Sequence, residues 1–155
     1  VLPVGGKVGA GEILFARLDP VKKMEEIASA LQNRARIISL DLQKEEERNK
    51  LKILLEVENP SVCMLVNCAG YGVIGDFADL GCEEQMGMVR LNCEALTHVT
   101  HVCLPFMEKN SRIIQIASCA AFIPQPGFAI YAATKSYVES FSKALREELK
   151  AKKIY

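Results

Sequence analysis

Arg112-Ile113-Ile114-Gln115-Ile116-Ala117-Ser118, followed after a short loop by Tyr131-Ala132-Ala133-Thr134-Lys135, decides the fold. The first run reads as a buried strand that delivers Ser118 to its carboxyl end, thirteen positions before Tyr131. The second lies in a helix. Tyr131 and Lys135 are four apart, so on a helix they share one face, one turn from each other. A tyrosine is a weak acid, with a reference pKa of about 10. An ammonium beside it stabilises the phenolate, so the pair is a way to build a proton donor that works near neutral pH. A hydroxyl at the strand end, Ser118, can donate to the same substrate oxygen.

Working outward, the same alternation repeats. Val1 to Gly11 is short and glycine-rich, and Glu12 to Ala16 reads as a short buried strand ending at Arg17. Asp19 and Pro20 have the signature of an N-cap and a first helical position, opening an amphipathic helix from Pro20 to Asn33. Arg36 to Leu40 is the next strand and ends at Asp41. Lys44 to Glu58, with Leu51, Leu54, Leu55 and Val57, is a helix stopped by Asn59-Pro60. Val62 to Val66 is an apolar strand followed by Asn67-Cys68-Ala69-Gly70. A loop carrying Gly70, Gly72, Gly75 and Gly81 leads into a long helix from about Glu83 to Lys109. Lys153-Ile154-Tyr155 has the makings of one more strand. Apolar strands alternating with helices predict an α/β fold: a doubly wound parallel sheet in a three-layer α/β/α arrangement, one domain over residues 1–155. Ligands of such sheets bind outside the carboxyl ends of the strands. Arg17, Asp41, Asn67 and Ser118 all stand at such ends.

Composition excludes several classes. The formal net charge is zero, which gives no electrostatic footprint for nucleic acid or an anionic membrane surface. No apolar run reaches the roughly 20 residues that span a bilayer, and no signal peptide is visible, so a cytoplasmic location is expected. The six cysteines, Cys63, Cys68, Cys82, Cys93, Cys103 and Cys119, form no C-x-x-C pair and read as reduced, buried thiols. His98 and His101, with Cys93 and Cys103 nearby, lack a C-x-x-C or H-E-x-x-H context. They read as a solvated helix face, with no metal.

These pieces together resemble the short-chain dehydrogenase/reductase family. Asn67-Cys68-Ala69-Gly70 stands for the family's N-N-A-G, with Cys68 in place of the second Asn. Asn92 lies in the long helix, and Ser118 and Tyr131-x-x-x-Lys135 follow in order. The resemblance covers Glu12 to Lys150. It implies hydride transfer between a nicotinamide cofactor and a carbonyl or alcohol. By similarity Tyr131 is the general acid/base, Ser118 orients the carbonyl, Lys135 lowers the tyrosine pKa and binds the cofactor ribose, and Asn92 holds a water in a proton relay. Asp41 and Leu42 match the family's adenine contact, and Asn67, Ala69 and Gly70 the run beside the adenosine ribose. Members that prefer NAD(H) end their second strand with an acid; here Ala16 and then Arg17 stand there. An arginine without a carboxylate beside it favours a 2′-phosphate, so the expected cofactor is NADP(H), with NAD(H) as the other choice. Similar proteins are homodimers or homotetramers through the long helix and the Tyr/Lys helix, where Phe141, Ala144 and Leu145 were candidates for an outward face. Phe122, Ile123 and Phe128 hint at an apolar substrate.

One departure stands out. The family opens with a strand, T-G-x-x-x-G-x-G and a helix. Gly5, Gly9 and Gly11 have that spacing, with Val4 in place of the Thr, but Glu12 begins the next strand at once. A parallel crossover needs about a dozen residues or more. The glycine match is therefore either accidental or the remnant of a motif whose helix is absent, and a pyrophosphate would lose its helix N-terminus. A second reading follows: a non-catalytic remnant or fragment of this fold that works only by association.

Overall fold

A computed structural model describes residues 2–5, 12–17, 26, 29 and 35–155, with side chains described at Glu26, Ser29 and from Ile37 on. Five strands form one sheet: β1 (Leu2–Gly5), β2 (Glu12–Arg17), β3 (Ala35–Ser39), β4 (Ser61–Asn67) and β5 (Met107–Gln115), in the order β3-β2-β1-β4-β5. β2 pairs parallel with β3, and β4 with β5. The strand order and the parallel pairs are those of a Rossmann-type α/β fold. Of the expected Pro20 to Asn33 helix, Glu26 and Ser29 are described, and both are helical; the rest lies outside the described residues.

The first surprise is β1. The glycine-rich start contains a strand, it sits in the middle of the sheet, and it runs antiparallel to both neighbours, with Leu2 opposite Leu14 and Val4 opposite Val62. Six residues separate Gly5 from Glu12. That is too few for a parallel crossover and enough for a return hairpin. The chain length between the strands dictated the direction.

The described helices are α1 (Glu45–Glu58), α2 (Cys82–Val89), α3 (Leu96–Cys103) and α4 (Ala129–Leu149). Glu45, Glu46 and Glu47 face the positive end of α1. Asn59, left-handed at φ 43°, closes it by donating its N–H to Leu55 O, and Pro60 prevents continuation. Arg48, Leu51 and Leu55 form its buried stripe, while Val57 is exposed. A π-helical turn, Arg90–Ala95, joins α2 to α3 without a break in direction. The long rod ends earlier than the sequence suggests, at Cys103. A 3₁₀ turn with Pro105 follows, and Met107 begins β5. β5 is thus longer than the apolar run from Arg112. Its first half is polar, and Asn110 there has φ 74°, where the β4–β5 register shifts.

The core lies between one sheet face and these helices. Leu40, Leu51, Leu55, Val62, Leu65, Val99, Cys103, Met107, Leu149 and Ile154 are buried together. Each such aliphatic side chain contributes about 1.5–3 kcal/mol of burial. The other face of β4 and β5 leaves Cys63, Arg112, Ile114 and Ile116 exposed, so β5 is half-buried and not fully buried as its sequence suggests. The thiols divide in the same way. Cys103 is buried and Cys93 partly so, but Cys63, Cys68, Cys82 and Cys119 are exposed, because they fall on the open sheet face, a loop, a helix start and a turn. His98 also departs from expectation: its Nε2 is buried rather than solvated. Lys153 to Tyr155 run beside β5, with Asn110 N–H donating to Lys153 O, Tyr155 N–H to Ser111 O and Ile113 N–H to Tyr155 O. Those bonds lay the terminal residues along β5, but Lys153 to Tyr155 do not form the strand that the sequence suggests.

Candidate active site

The site is built where β4 and β5 end. Asn67 closes β4. Its side-chain amide donates to Thr100 Oγ1 on α3 and to Gln115 Oε1 on β5, both at 2.9 Å, and Ile116 N–H donates to Asn67 O. Asn67 therefore fastens two strand ends to a helix. Three residues past β5, Ser118 is extended and heads a 3₁₀ turn, its Oγ accepting from Ala120 N–H at 3.2 Å. Ser136 Oγ on α4 donates to Ala121 O at 2.7 Å, which ties that turn to the helix of Tyr131 and Lys135.

Lys135 is buried to 7% exposure. One of its three N–H bonds goes to Ile116 O at 2.8 Å, and Nζ lies 5.7 Å from the centre of the Tyr131 ring. The other two N–H bonds meet no protein acceptor among the described residues. They border Gly70, where an added Cβ would stand 3.6 Å from Lys135 Nζ and 2.9 Å from Asn92 Oδ1. Tyr131 is partly exposed, stacked on Phe128 with ring centres 4.3 Å apart. Its hydroxyl has no protein partner among the described residues. A Cβ at Gly72 would lie 2.6 Å from Tyr131 Cδ2, so the glycine loop runs against the ring.

Asn92 sits in the π-helical turn, 1% exposed. Its Nδ2 donates to Tyr71 O at 2.9 Å and to Thr134 Oγ1 at 3.0 Å, and its Oδ1 accepts from Tyr71 N–H at 3.1 Å. Both amide protons are engaged, which leaves one Oδ1 lone pair for a further partner. Asn92 thereby clamps the glycine loop to α4. A widened turn of this kind is common at functional sites. Thr134 completes the clamp by donating to Tyr131 O at 2.8 Å. Sequence reasoning missed Thr134, Tyr71, Gly72 and the π-turn; no motif marks a buried threonine inside a helix. Cys93, in the same turn, has its thiol pushed up by burial, which the Lys135 ammonium offsets only in part.

The remaining sequence candidates are placed less centrally. Asp41 Oδ1 accepts from Gln43 N–H at 3.1 Å and its Oδ2 lies 3.7 Å from Lys44 Nζ, so its carboxylate shapes its own turn. Leu42 is buried, and its carbonyl accepts from Arg48 Nη1 at 2.8 Å. Arg17 ends β2 opposite Ser39, and its side chain lies outside the described residues. Gly9 and Gly11 lie outside them as well. Phe122 and Ile123 are mostly exposed, and of the three apolar candidates only Phe128 reaches Tyr131. On α4, Ala144 faces outward, whereas Leu145 packs against the core and Phe141 stacks on Tyr137. Among the described residues no group of His, Cys, Asp and Glu gathers as a metal site, and no helix is long and apolar enough to cross a membrane.

Comparison with known proteins gives a consistent picture. The family model described as short chain dehydrogenase matches residues 7–155. A very-long-chain 3-oxoacyl-CoA reductase of Coprinopsis cinerea is 31% identical, over 94% of this chain and 44% of that enzyme. A bulky-bulky ketone specific alcohol dehydrogenase from Comamonas testosteroni superposes with TM-score 0.81 at 27% identity, over 93% of this chain and 59% of that one. A short chain dehydrogenase from Burkholderia cenocepacia in complex with NADP superposes with TM-score 0.82 at 21% identity, over 92% and 60%. The chain spans between 32% and 60% of the curated relatives it matches.

Proposed function

Because the chain belongs to the short-chain dehydrogenase/reductase family, we propose that it takes part in hydride transfer between a nicotinamide cofactor and a carbonyl or alcohol, with Tyr131 as the general acid/base. The observation that carries this reading is the buried Lys135 ammonium, which has two N–H bonds without acceptors among the described residues and borders a glycine that keeps the space open. A buried cation so placed suits a ligand rich in hydroxyl oxygens, such as a ribose. A Cβ at Gly70 would fill that cradle, so the residues present fit the cofactor's ribose and nicotinamide end.

The cofactor, when bound, supplies or takes up the hydride. The protein's own residues do the rest. Ser118 donates a hydrogen bond to the carbonyl oxygen and holds it toward Tyr131. Tyr131 gives its phenolic proton to that oxygen as negative charge develops there, and takes it back in the alcohol-oxidising direction. Lys135 sets its ammonium 5.7 Å from the centre of the Tyr131 ring, where its charge opposes the negative charge that the proton's departure leaves. Asn92 keeps the loop, Thr134 and α4 in register, and its remaining lone pair suits a water in the path that reprotonates the site. Asn67, Ala69 and Gly70 would hold the cofactor beside its adenosine ribose, and Asp41 and Leu42 would contact its adenine. Arg17, at the end of β2 with no acid beside it, favours NADP(H) over NAD(H). The expected assembly is a homodimer or homotetramer in the cytoplasm.

Tyr131→Phe is expected to reduce carbonyl reduction by at least about a thousandfold while NADPH affinity, read by cofactor fluorescence, changes less than about twofold. A variant with normal turnover removes the acid role. Arg17→Ser is expected to shift the preference from NADPH toward NADH. A second reading is favoured by the inverted β1. Six residues between β1 and β2 are too few for a crossover helix that would present its N-terminus to a pyrophosphate, and the chain would then act as a non-catalytic fold that works by association. No fluorescence change at millimolar NADPH would select that reading.

A further inference from the structure

Arg48 stands at the fourth position of α1 and is 2% exposed. Its guanidinium reaches two different segments. Nη1 donates to Leu42 O at 2.8 Å, in the turn that follows β3. Nη2 donates to Glu94, inside the π-helical turn that carries Asn92. Both donors belong to one rigid plane, so the two bonds together set the separation of those segments. Gln43, in the same turn as Leu42, meets the glycine loop on the other flank. An added Cβ at Gly87 would run into the Tyr71 hydroxyl and stand 3.0 Å from Gln43 Oε1. The backbone of Tyr71 is in turn held by Asn92.

Stability alone does not account for this arrangement. Burying a guanidinium costs desolvation that its pairing seldom exceeds. Arg48 Nε is buried too, and it has no partner among the described residues. Glu94 is half-exposed, so water screens part of the attraction. What the guanidinium supplies is geometry. Of the two segments, the π-turn is already fixed, because Asn92 bonds to Tyr71 and Thr134. The turn after β3 is the side that needs holding. Its own bonds, Lys44 N–H to Asp41 O and Gln43 N–H to Asp41 Oδ1, are internal to it.

We propose that Arg48 is a positioning residue for a nucleotide: by tying Leu42 O to Glu94 it holds the turn that takes the adenine in register with the π-turn at the reacting end. That the ligand at Asp41 and Leu42 is a nucleotide rests on the reductase reading; the brace between the two segments does not. Without the brace the turn must be ordered by the ligand itself, so the cost falls on nucleotide affinity. The proton transfer at Tyr131 is left in place, since Asn92 and Thr134 keep their own bonds.

Arg48→Met keeps an unbranched stem and removes both bonds. The first readout is the binding of 5′-AMP and of adenosine 2′,5′-bisphosphate to the full chain, followed by backbone amide shifts in ¹H–¹⁵N spectra. The tighter of the two is expected to bind wild type saturably and Arg48→Met at least about tenfold more weakly. Equal affinities, or no saturable binding to wild type, overturn the proposal. The second readout is reduction of acetophenone, cyclohexanone and hexanal with NADPH. There KM for NADPH is expected to rise about tenfold in Arg48→Met while kcat stays within about twofold. A fall in kcat at unchanged KM overturns the positioning role. Arg48-dependent nucleotide binding with no turnover of any of the three keeps the brace and rejects the reductase reading. If Arg48→Met fails to fold, Glu94→Ala cuts the brace at its half-exposed end. It is expected to weaken nucleotide binding about threefold or more, and Glu94→Gln, whose amide oxygen still accepts, to restore it. Wild-type affinity in Glu94→Ala would overturn the brace.

Discussion

A methyl group at Gly72 has nowhere to go. It would stand 2.6 Å and 2.8 Å from two Tyr131 ring carbons and 2.9 Å from Phe128 Cζ. The Tyr131–Phe128 stack must tilt to admit it. Gly72→Ala is expected to lower kcat by about ten- to a hundredfold, the scale of a misplacement near 1 Å, with circular dichroism unchanged. Wild-type turnover would mean that the ring position is not critical. The thiols make a second residue-scale case. Burial pushes Cys103 up to about 12, and it has no exposed surface, whereas Cys63, Cys68, Cys82 and Cys119 are exposed. Brief alkylation at pH 8 followed by peptide mass analysis is expected to label those four and leave Cys103 unmodified until denaturant is added. Tyr131 and Lys135 stood out by helical spacing, Ser118 by its place at a strand end, and Asn92 only through the family resemblance; the structure brings Lys135 and Asn92 together at Gly70, with Tyr131 beside Lys135. Gly72 and Thr134 were not legible in the sequence, since each matters through a close approach or a buried bond that only three dimensions display.

At the scale of elements, the joint at Asn67 matters most. It joins β4 to Thr100 of α3 and Gln115 of β5. Asn67→Leu leaves Gln115 Oε1 without its donor. The expected cost is about 1–3 kcal/mol, measured as a lower urea midpoint at unchanged slope. An unchanged midpoint would show that the joint is relaxed by water. Most elements were readable from periodicity and stop signals: α1 ends at Asn59-Pro60 as its residues dictate. The start of β5 was hidden because Glu108 to Asn110 are polar and exposed and fall in the register shift between Met107 and Arg112, which no side-chain pattern records. β1 was hidden for a different reason. Its last residue, Gly5, opens a glycine spacing with Gly9 and Gly11 that mimics a phosphate loop, and its direction follows from the length of the connection to β2.

For the whole molecule, pH acts through the contact between α1 and α3. His98 is held below its ordinary value, first by burial, then by the Arg48 guanidinium and His101, with Glu45 and Glu94 pulling the other way. Arg48 is itself buried, its Nη2 paired to Glu94. The folded state therefore keeps His98 neutral where the unfolded chain, near its reference value of about 6.5, takes a proton. The unfolded state binds more protons below that value, so stability is full above it and falls as pH drops through it. Melting temperatures at pH 7.5 and 5.5 are expected to differ more for wild type than for His98→Gln. An equal difference would assign the loss to other groups.

The inverted β1 has a mechanical consequence. Within the described sheet, β2 and β3 meet β4 and β5 only through Leu2 to Gly5, and the bond to β4 rests on two residue pairs, Val4 with Val62 and Gly5 with Ser61. Two parallel ribbons are thus zipped along a four-residue seam supplied by the chain's beginning. Unzipping it would bare two raw strand edges at once, each a template for a neighbour's backbone. Four residues thus keep the two halves of the described sheet from finding partners elsewhere.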